Sequence, residues 1–192
     1  SPLIYEKELQ QIGIGGKSWL IEREPENVDI LKDLVGGEII AGDNRDILPG
    51  VIARLPWRAF GLLYHDPNTI PDFDLLTKAC RNSRMYKMDI LIRCSGTSIK
   101  RARSAYPDKF CNLQEYLSKI NKKYWLVRRL AHGDKHQWTF LFGTNWKDIK
   151  DWKKRGFYRI DSAEGKQILH TITYTAPEKA SMGQQTFVLE EA

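Results

Sequence analysis

Cysteine is scarce in this 192-residue chain: Cys80, Cys94 and Cys111 are odd in number, and none stands in CxxC spacing. That excludes a disulfide framework or a zinc knuckle as the organising device, and a reducing, cytoplasmic setting is expected. Long apolar runs are absent too; none approaches the ~18 residues of a membrane span, so no membrane partner is expected. The opening SPLIYEKELQQ carries acids instead of a basic start and an apolar core, so it is not expected to be a signal peptide. His65, His132, His136 and His170 show no HExxH or HxH pattern, and no metal site is expected. No internal repeat and no Ser-His-Asp order is legible.

What the chain does hold is material for a folded core. Hydrophobic residues make up 42% and aromatics 11%. That excludes a disordered or low-complexity protein, and a chain of this size can bury ~70% of its unfolded surface. The formal charge of +6 is uneven: residues 95–160 carry 16 Lys and Arg against 5 Asp and Glu, a local +11, while the remainder carries −5. A basic stretch of this kind is expected to face an anion, with nucleic acid the leading candidate; the plain alternative is a solvated surface.

From residue 17 onward, short apolar runs alternate with helical spacing. Ser18–Glu22 reads as a strand, and Pro25 marks a helix start. Val28, Leu31, Leu34 and Val35 form its apolar stripe, which Gly36-Gly37 ends. A second strand, Glu38–Gly42, runs into Asp43-Asn44 and a helix from about Asp46 to Leu55 that contains Pro49-Gly50. Phe60–His65 is continuously apolar, which predicts a central strand covered on both faces. Asp72 is placed to cap a helix from Phe73 to about Arg81, and Met88–Cys94 reads as the fourth strand. The polar stretch Ile99–Arg103 precedes a helix from about Asn112 to Ile120. Tyr124–Leu130 and His136–Phe142, five residues apart, predict a hairpin, and with it one antiparallel strand at the edge of the sheet. Asn145 is expected to cap a helix over Trp146–Lys154, and 176–185 reads as a tail segment.

In open α/β sheets, ligands bind outside the carboxyl ends of the strands. The residues at those ends are Glu22, Asp43-Asn44, Asp66-Pro67-Asn68 and Ser95-Gly96-Thr97. Asp and Asn also cap the following helix, so each acid alone is weak evidence; three consecutive strand ends bearing acids make a stronger case. Cys94, at the fourth strand end, reads as a small buried hydrophobe rather than a nucleophile.

The order LIE, GDN, LLYHDPN, DILIRCSG and then a hairpin with QWTFLFGTNW resembles an S-adenosylmethionine-dependent methyltransferase core. It is most similar to the three-Cys-motif partner proteins, Rossmann-type proteins of bacteria and phages, over roughly residues 1–170. The resemblance implies an α/β fold with a Rossmann-like, methyltransferase-type sheet, mostly parallel with an antiparallel hairpin at its C-terminal end and helices on both faces. Residues 171–192 would then be a C-terminal extension. It also implies S-adenosylmethionine as cofactor. Glu22 would hold the ribose hydroxyls, and Asp43, with Asn44 beside it, the adenine amino group. Asp66-Pro67-Asn68 resembles the Asp-Pro-Pro-aromatic motif of amino-group methyltransferases, whose Asp accepts from the target amine. Here the second proline and the aromatic are replaced by Asn68 and Thr69, and Tyr64 is a candidate stacking platform.

The family's glycine-rich cofactor loop has no counterpart of the right spacing. Gly13-Ile14-Gly15-Gly16 lies too close to the strand carrying Glu22 to leave room for a helix, and reads as a turn. Ser1-Pro2-Leu3-Ile4 resembles the segment that follows that loop, so the chain is expected to be a fragment or a form without it.

Lys100, Arg101 and Arg103 follow the fourth strand end and are expected to hold phosphate. Trp146 and Trp152 read as packing residues, with stacking on unpaired bases as the alternative. Two functions follow: a methyltransferase acting on an amino group of a nucleic-acid base, or a non-catalytic relative that binds nucleic acid or a protein partner in a bacterial or phage system.

Overall fold

The computed structural model describes residues 7, 8, 10, 11, 13, 15–106, 112–133 and 136–181, and the chain divides into two compact units, Ser1–Trp57 and Arg58–Ala192. Ser1-Pro2-Leu3-Ile4, Ile14, Cys111 and the 182–185 end of the tail segment lie outside the described residues, as do the side chains of His132 and His136.

The first unit is built on one β–α–β crossover. Strand β1 (Trp19–Glu22) pairs parallel with β2 (Glu38–Ala41), Glu22 facing Ala41. Between them runs α1 (Pro25–Leu34), which starts on Pro25, where the missing N–H costs nothing. Val28 and Val35 are buried, but Leu34 at the end of the expected stripe is 53% exposed. Gly37 ends the connection because a β-carbon there would strike Ser18, whose carbonyl accepts from Glu38 in the ladder. Helix α2 (Asn44–Arg54) follows β2; Pro49 sits inside it without ending it, and Leu48, Val51 and Ile52 bury its inner face. Gly13 takes φ +66 in a turn, its N–H donating to the Gln10 carbonyl.

The second unit holds β3 (Gly61–His65), α3 (Phe73–Arg81), β4 (Met88–Ser95), α4 (Gly96–Ala105), α5 (Leu113–Lys119), β5 (Tyr124–Arg128), β6 (Ala131–Gly133), β7 (His136–Thr144), β8 (Phe157–Arg159), α6 (Ala163–Thr173) and α7 (Ala176–Ser181). The sheet order is β3-β4-β7-β5-β8, with β6 paired to β7. This is a mixed sheet: β3–β4 is parallel, whereas β4–β7, β5–β7, β5–β8 and β6–β7 are antiparallel. The reversed strand of the hairpin is therefore not at the edge, as expected, but inserted between β4 and β5, and β8 takes the edge.

Ile90, Ile92 and Cys94 of β4, Val127 of β5 and Leu141 of β7 are fully buried on one face of this sheet. They pack against Phe73, Leu76 and Cys80 of α3, Ile99 of α4, Leu113 and Leu117 of α5, and Leu169 and Ile172 of α6. Each such side chain contributes about 1.5–3 kcal/mol by leaving water. All four of these helices share that one face, where helices on both faces were expected. On the opposite face, period-2 alternation places Leu62 and Tyr64 of β3, Leu91 of β4, and Trp138, Phe140 and Phe142 of β7, all partly or largely accessible.

Three further expectations change. Among the described residues β3 is an edge strand, not a central one, with Phe60, Leu62 and Tyr64 exposed by 80%, 38% and 37%. Its apolar run reflects one face in the core and one that is not. The basic stretch 99–103 is helical, because Ser95 caps α4 by accepting from Ser98 N–H and Ile99 is an anchor in the core. Residues 146–154 form turns instead of a helix: Asn145 accepts from Lys123 N–H and donates to the Tyr86 carbonyl, so its amide fastens the chain to β5 and to the loop before β4.

Candidate functional site

In the first unit Glu22 ends β1 opposite Ala41 of β2, and Asp43 follows two residues later, so both acids lie at the C-terminal ends of adjacent parallel strands. Gly42 makes this possible by taking φ +142, a conformation that L side chains rarely adopt, and its N–H donates to the Glu22 carbonyl at 2.9 Å. Each carboxylate gives one oxygen to a backbone N–H: Glu22 Oε1 to Glu24 at 2.9 Å and Asp43 Oδ1 to Arg45 at 2.8 Å. Asp43 is thus a helix cap, as the plainer reading had it, while its other oxygen has no bond among the described residues. Asn44 is the first residue of α2.

Asp66 belongs to the second unit, directly after β3. Its Oδ1 accepts from Arg93 Nη1 at 3.0 Å and its Oδ2 from the Tyr64 hydroxyl at 2.9 Å. Burial and the Asp66 hydrogen bond push the Tyr64 phenol up to about 12. Pro67 is half-buried and Asn68 exposed in the loop that follows. Behind the loop, His65 Nε2 accepts from the Asp72 N–H at 3.2 Å, and burial holds the imidazole below its usual pKa. Asp72 in turn caps α3 through Leu75 N–H.

Arg93 and the aromatic row were not singled out from the sequence. The Arg93 guanidinium lies 5.9 Å from the Trp138 ring centroid, Trp138 meets Phe140 edge-on at 5.3 Å, and Phe140 lies 6.4 Å from Tyr64. The alternation in Gln137-Trp138-Thr139-Phe140-Leu141-Phe142 holds the signal, since every second residue shares a face. Asp66 therefore sits beside an arginine and at one end of a half-exposed aromatic row. A carboxylate offers about four lone-pair sites, so two bonds leave room for a further donor.

Of the expected phosphate ligands, Lys100 and Arg101 line a groove on α4, whereas Arg103 is committed elsewhere. Its side chain, 19% exposed, pairs with Glu178 at 3.0 Å and lies 4.5 Å from the Tyr174 ring centroid. Cys94 is fully buried and burial pushes its thiol far up, so it is inert packing. Trp146 is 48% exposed, against the packing role expected of it. Among the described residues no three His, Cys, Asp or Glu side chains gather as a metal site, and no helix is long and apolar enough to cross a membrane.

No family model matches the chain, and no curated protein does. Among solved structures it is similar to protein LPL1258 of Legionella pneumophila str. Philadelphia 1, of the family model DUF519, with a TM-score of 0.44 and 16% identity. The match covers 82% of this chain and 55% of that one, so the chain spans about half the length of the structure it matches.

Proposed function

We propose that this is a methyltransferase-type Rossmann protein directed at an amino group of a nucleic-acid base. The observation that carries the reading is the path of the second sheet. β3, β4 and β5 run one way, and β7 runs the other way between β4 and β5. The resemblance to methyltransferases implies an antiparallel hairpin following the parallel strands, and β7 supplies the reversed strand, although it stands inside the sheet and β8 follows it. The parallel β1–β2 pair, with acids at both strand ends, supports it further.

The residues present fit the cofactor's polar groups. The unbonded oxygens of Glu22 and Asp43 suit a ribose diol and an adenine amine, which need acceptors. When bound, S-adenosylmethionine supplies an electrophilic methyl group. Asp66, with Arg93 on its Oδ1, accepts a hydrogen bond from the target amine and orients its lone pair, and Tyr64 presents a partly exposed ring to the base. Calorimetry with S-adenosylmethionine tests this: binding that falls in Glu22→Ala and Asp43→Ala supports the reading, and heat unchanged by both replacements refutes it.

A second reading draws on the Asp66 motif itself. Its second proline and aromatic are replaced by Asn68 and Thr69, which favours a non-catalytic nucleic-acid or protein-binding relative. In that case Asp66→Ala leaves nucleic-acid binding intact, and no methyl group reaches any oligonucleotide.

A further inference from the structure

Thr97, Lys100, Arg101, Ser104 and Thr175 line a shallow groove of about 560 Å³ along α4. Positions 97, 100, 101 and 104 recur at helical spacing, so hydroxyls and cations form one stripe about 10 Å long. Lys100 donates to Gln137 Oε1 at 3.0 Å, and no carboxylate pairs with Lys100, Arg101 or Lys179 among the described residues. Glu178, the neighbour of Lys179, is already bonded at both oxygens: Oε1 takes Arg103, while Oε2 takes the N–H and hydroxyl of Thr175 at 2.7 and 2.8 Å. Those bonds, led by the Thr175 N–H, hold the Glu178 carboxyl down at about 2. Burial pulls the Lys100 ammonium below its usual pKa, and the charge of Lys179 on α7 adds to the effect. Burial, and after it the same lysine, lowers His170, whose buried Nε2 has no hydrogen-bond partner among the described residues. Half-buried Lys100 and Lys179 and exposed Arg101 thus gather at one surface, where among the described residues no carboxylate is paired with them, an arrangement that a bound anion would relieve.

We infer that the α4 groove binds nucleic-acid backbone phosphates through its lining residues Lys100 and Arg101, with Lys179 of α7 adding positive charge beside it, and that the Arg103–Glu178 pair is a clasp holding α7 there. The inference rests on the nucleic-acid part of the proposed function and changes its ligand set: Arg103 becomes a positioning residue and Lys179 enters. The length and openness of the stripe suit consecutive phosphodiesters better than one terminal phosphate.

The test is fluorescence anisotropy of a labelled single-stranded oligonucleotide over a salt series. Each lost phosphate contact lowers the salt slope by about 0.7, equivalent to about fivefold in affinity at 0.1 M salt, and this is expected for Lys100→Ala and for Lys179→Ala. Lys78→Ala on α3, outside the groove, leaves binding unchanged. Glu178→Gln gives the sharper sign. Removing an acid should tighten binding on charge alone, but opening the clasp should weaken it, with circular dichroism unchanged. Inorganic phosphate and a nucleoside monophosphate are run as competitors, and neither is expected to displace the oligonucleotide. Displacement by either at low millimolar concentration overturns the backbone assignment in favour of a terminal phosphate. Unchanged affinity and slope in both lysine variants, or tighter binding by Glu178→Gln, overturns the groove while the nucleic-acid reading stands. Absence of any oligonucleotide binding by the unaltered protein refutes both.

Discussion

Replacing Lys122 by Met is expected to destabilise the protein by about 2–4 kcal/mol. Lys122 is 8% exposed, and its Nζ donates to the carbonyls of Met85 and Met88, each at 2.6 Å. It thereby ties the entry of β5 to the start of β4, two strands that are not direct neighbours in the sheet. Hydrogen bonds from a charged donor contribute about 1.5–3 kcal/mol each, and Met fills the space of the stem without replacing either bond. Against this, methionine removes the cost of burying an ammonium, visible in the lowered pKa of Lys122. Swapping a buried charge for an apolar group is often neutral when its partners leave with it. Here both carbonyls remain, so the loss dominates. Urea unfolding followed by tryptophan fluorescence should show the midpoint falling with the slope unchanged, and the thermal midpoint dropping by about 6–15 °C. A loss below about 1 kcal/mol, or a gain, would refute the reasoning, since it would mean the two carbonyls find other donors.

Three further outcomes are expected. His65 is held neutral, and its folded pKa is lowered mainly by burial, with Asp72 and Asp66 opposing; its contribution is therefore full above the unfolded value near 6.5 and is lost as pH falls through the folded pKa. Stability scans from neutral to mildly acid pH should show that loss, and His65→Leu should remove its pH dependence. Asp66→Asn should bring the Tyr64 phenol down from about 12 towards its ordinary value of 10, read as phenolate absorbance in an alkaline titration. Gly143→Ala should cost about 1–3 kcal/mol in the same urea assay, because a β-carbon there would come within 2.7–2.9 Å of the Trp125 ring, whose indole lies across the glycine.

Much of the element order was legible because apolar runs and caps act locally. Asp72 and Asn112 cap the helices they precede, and Met88–Cys94 forms the core of β4. Position within the sheet was not legible, because an apolar strand carries no mark of its neighbours. Phe60–His65 fits a central strand and an edge strand equally well until pairing is known. The basic stretch gave no helix signal of its own; Ile99 reaching the core and the Ser95 cap make it one. At the candidate site the acids were legible from strand ends. Arg93 was not, because its partner Asp66 lies 27 residues earlier, just past the end of a neighbouring strand. The pairing of Arg103 is hidden for a related reason: a sequence shows a cation but not the glutamate 75 residues later that bonds it.

The central claim is tested most directly by following backbone amide resonances during titration with S-adenosylhomocysteine, which reports weak binding as well as tight. The account predicts saturable shifts concentrated at the ends of β1 and β2, at Glu22, Gly42 and Asp43, and their disappearance in Glu22→Ala. Shifts absent from those strand ends, or undiminished in that variant, would contradict it.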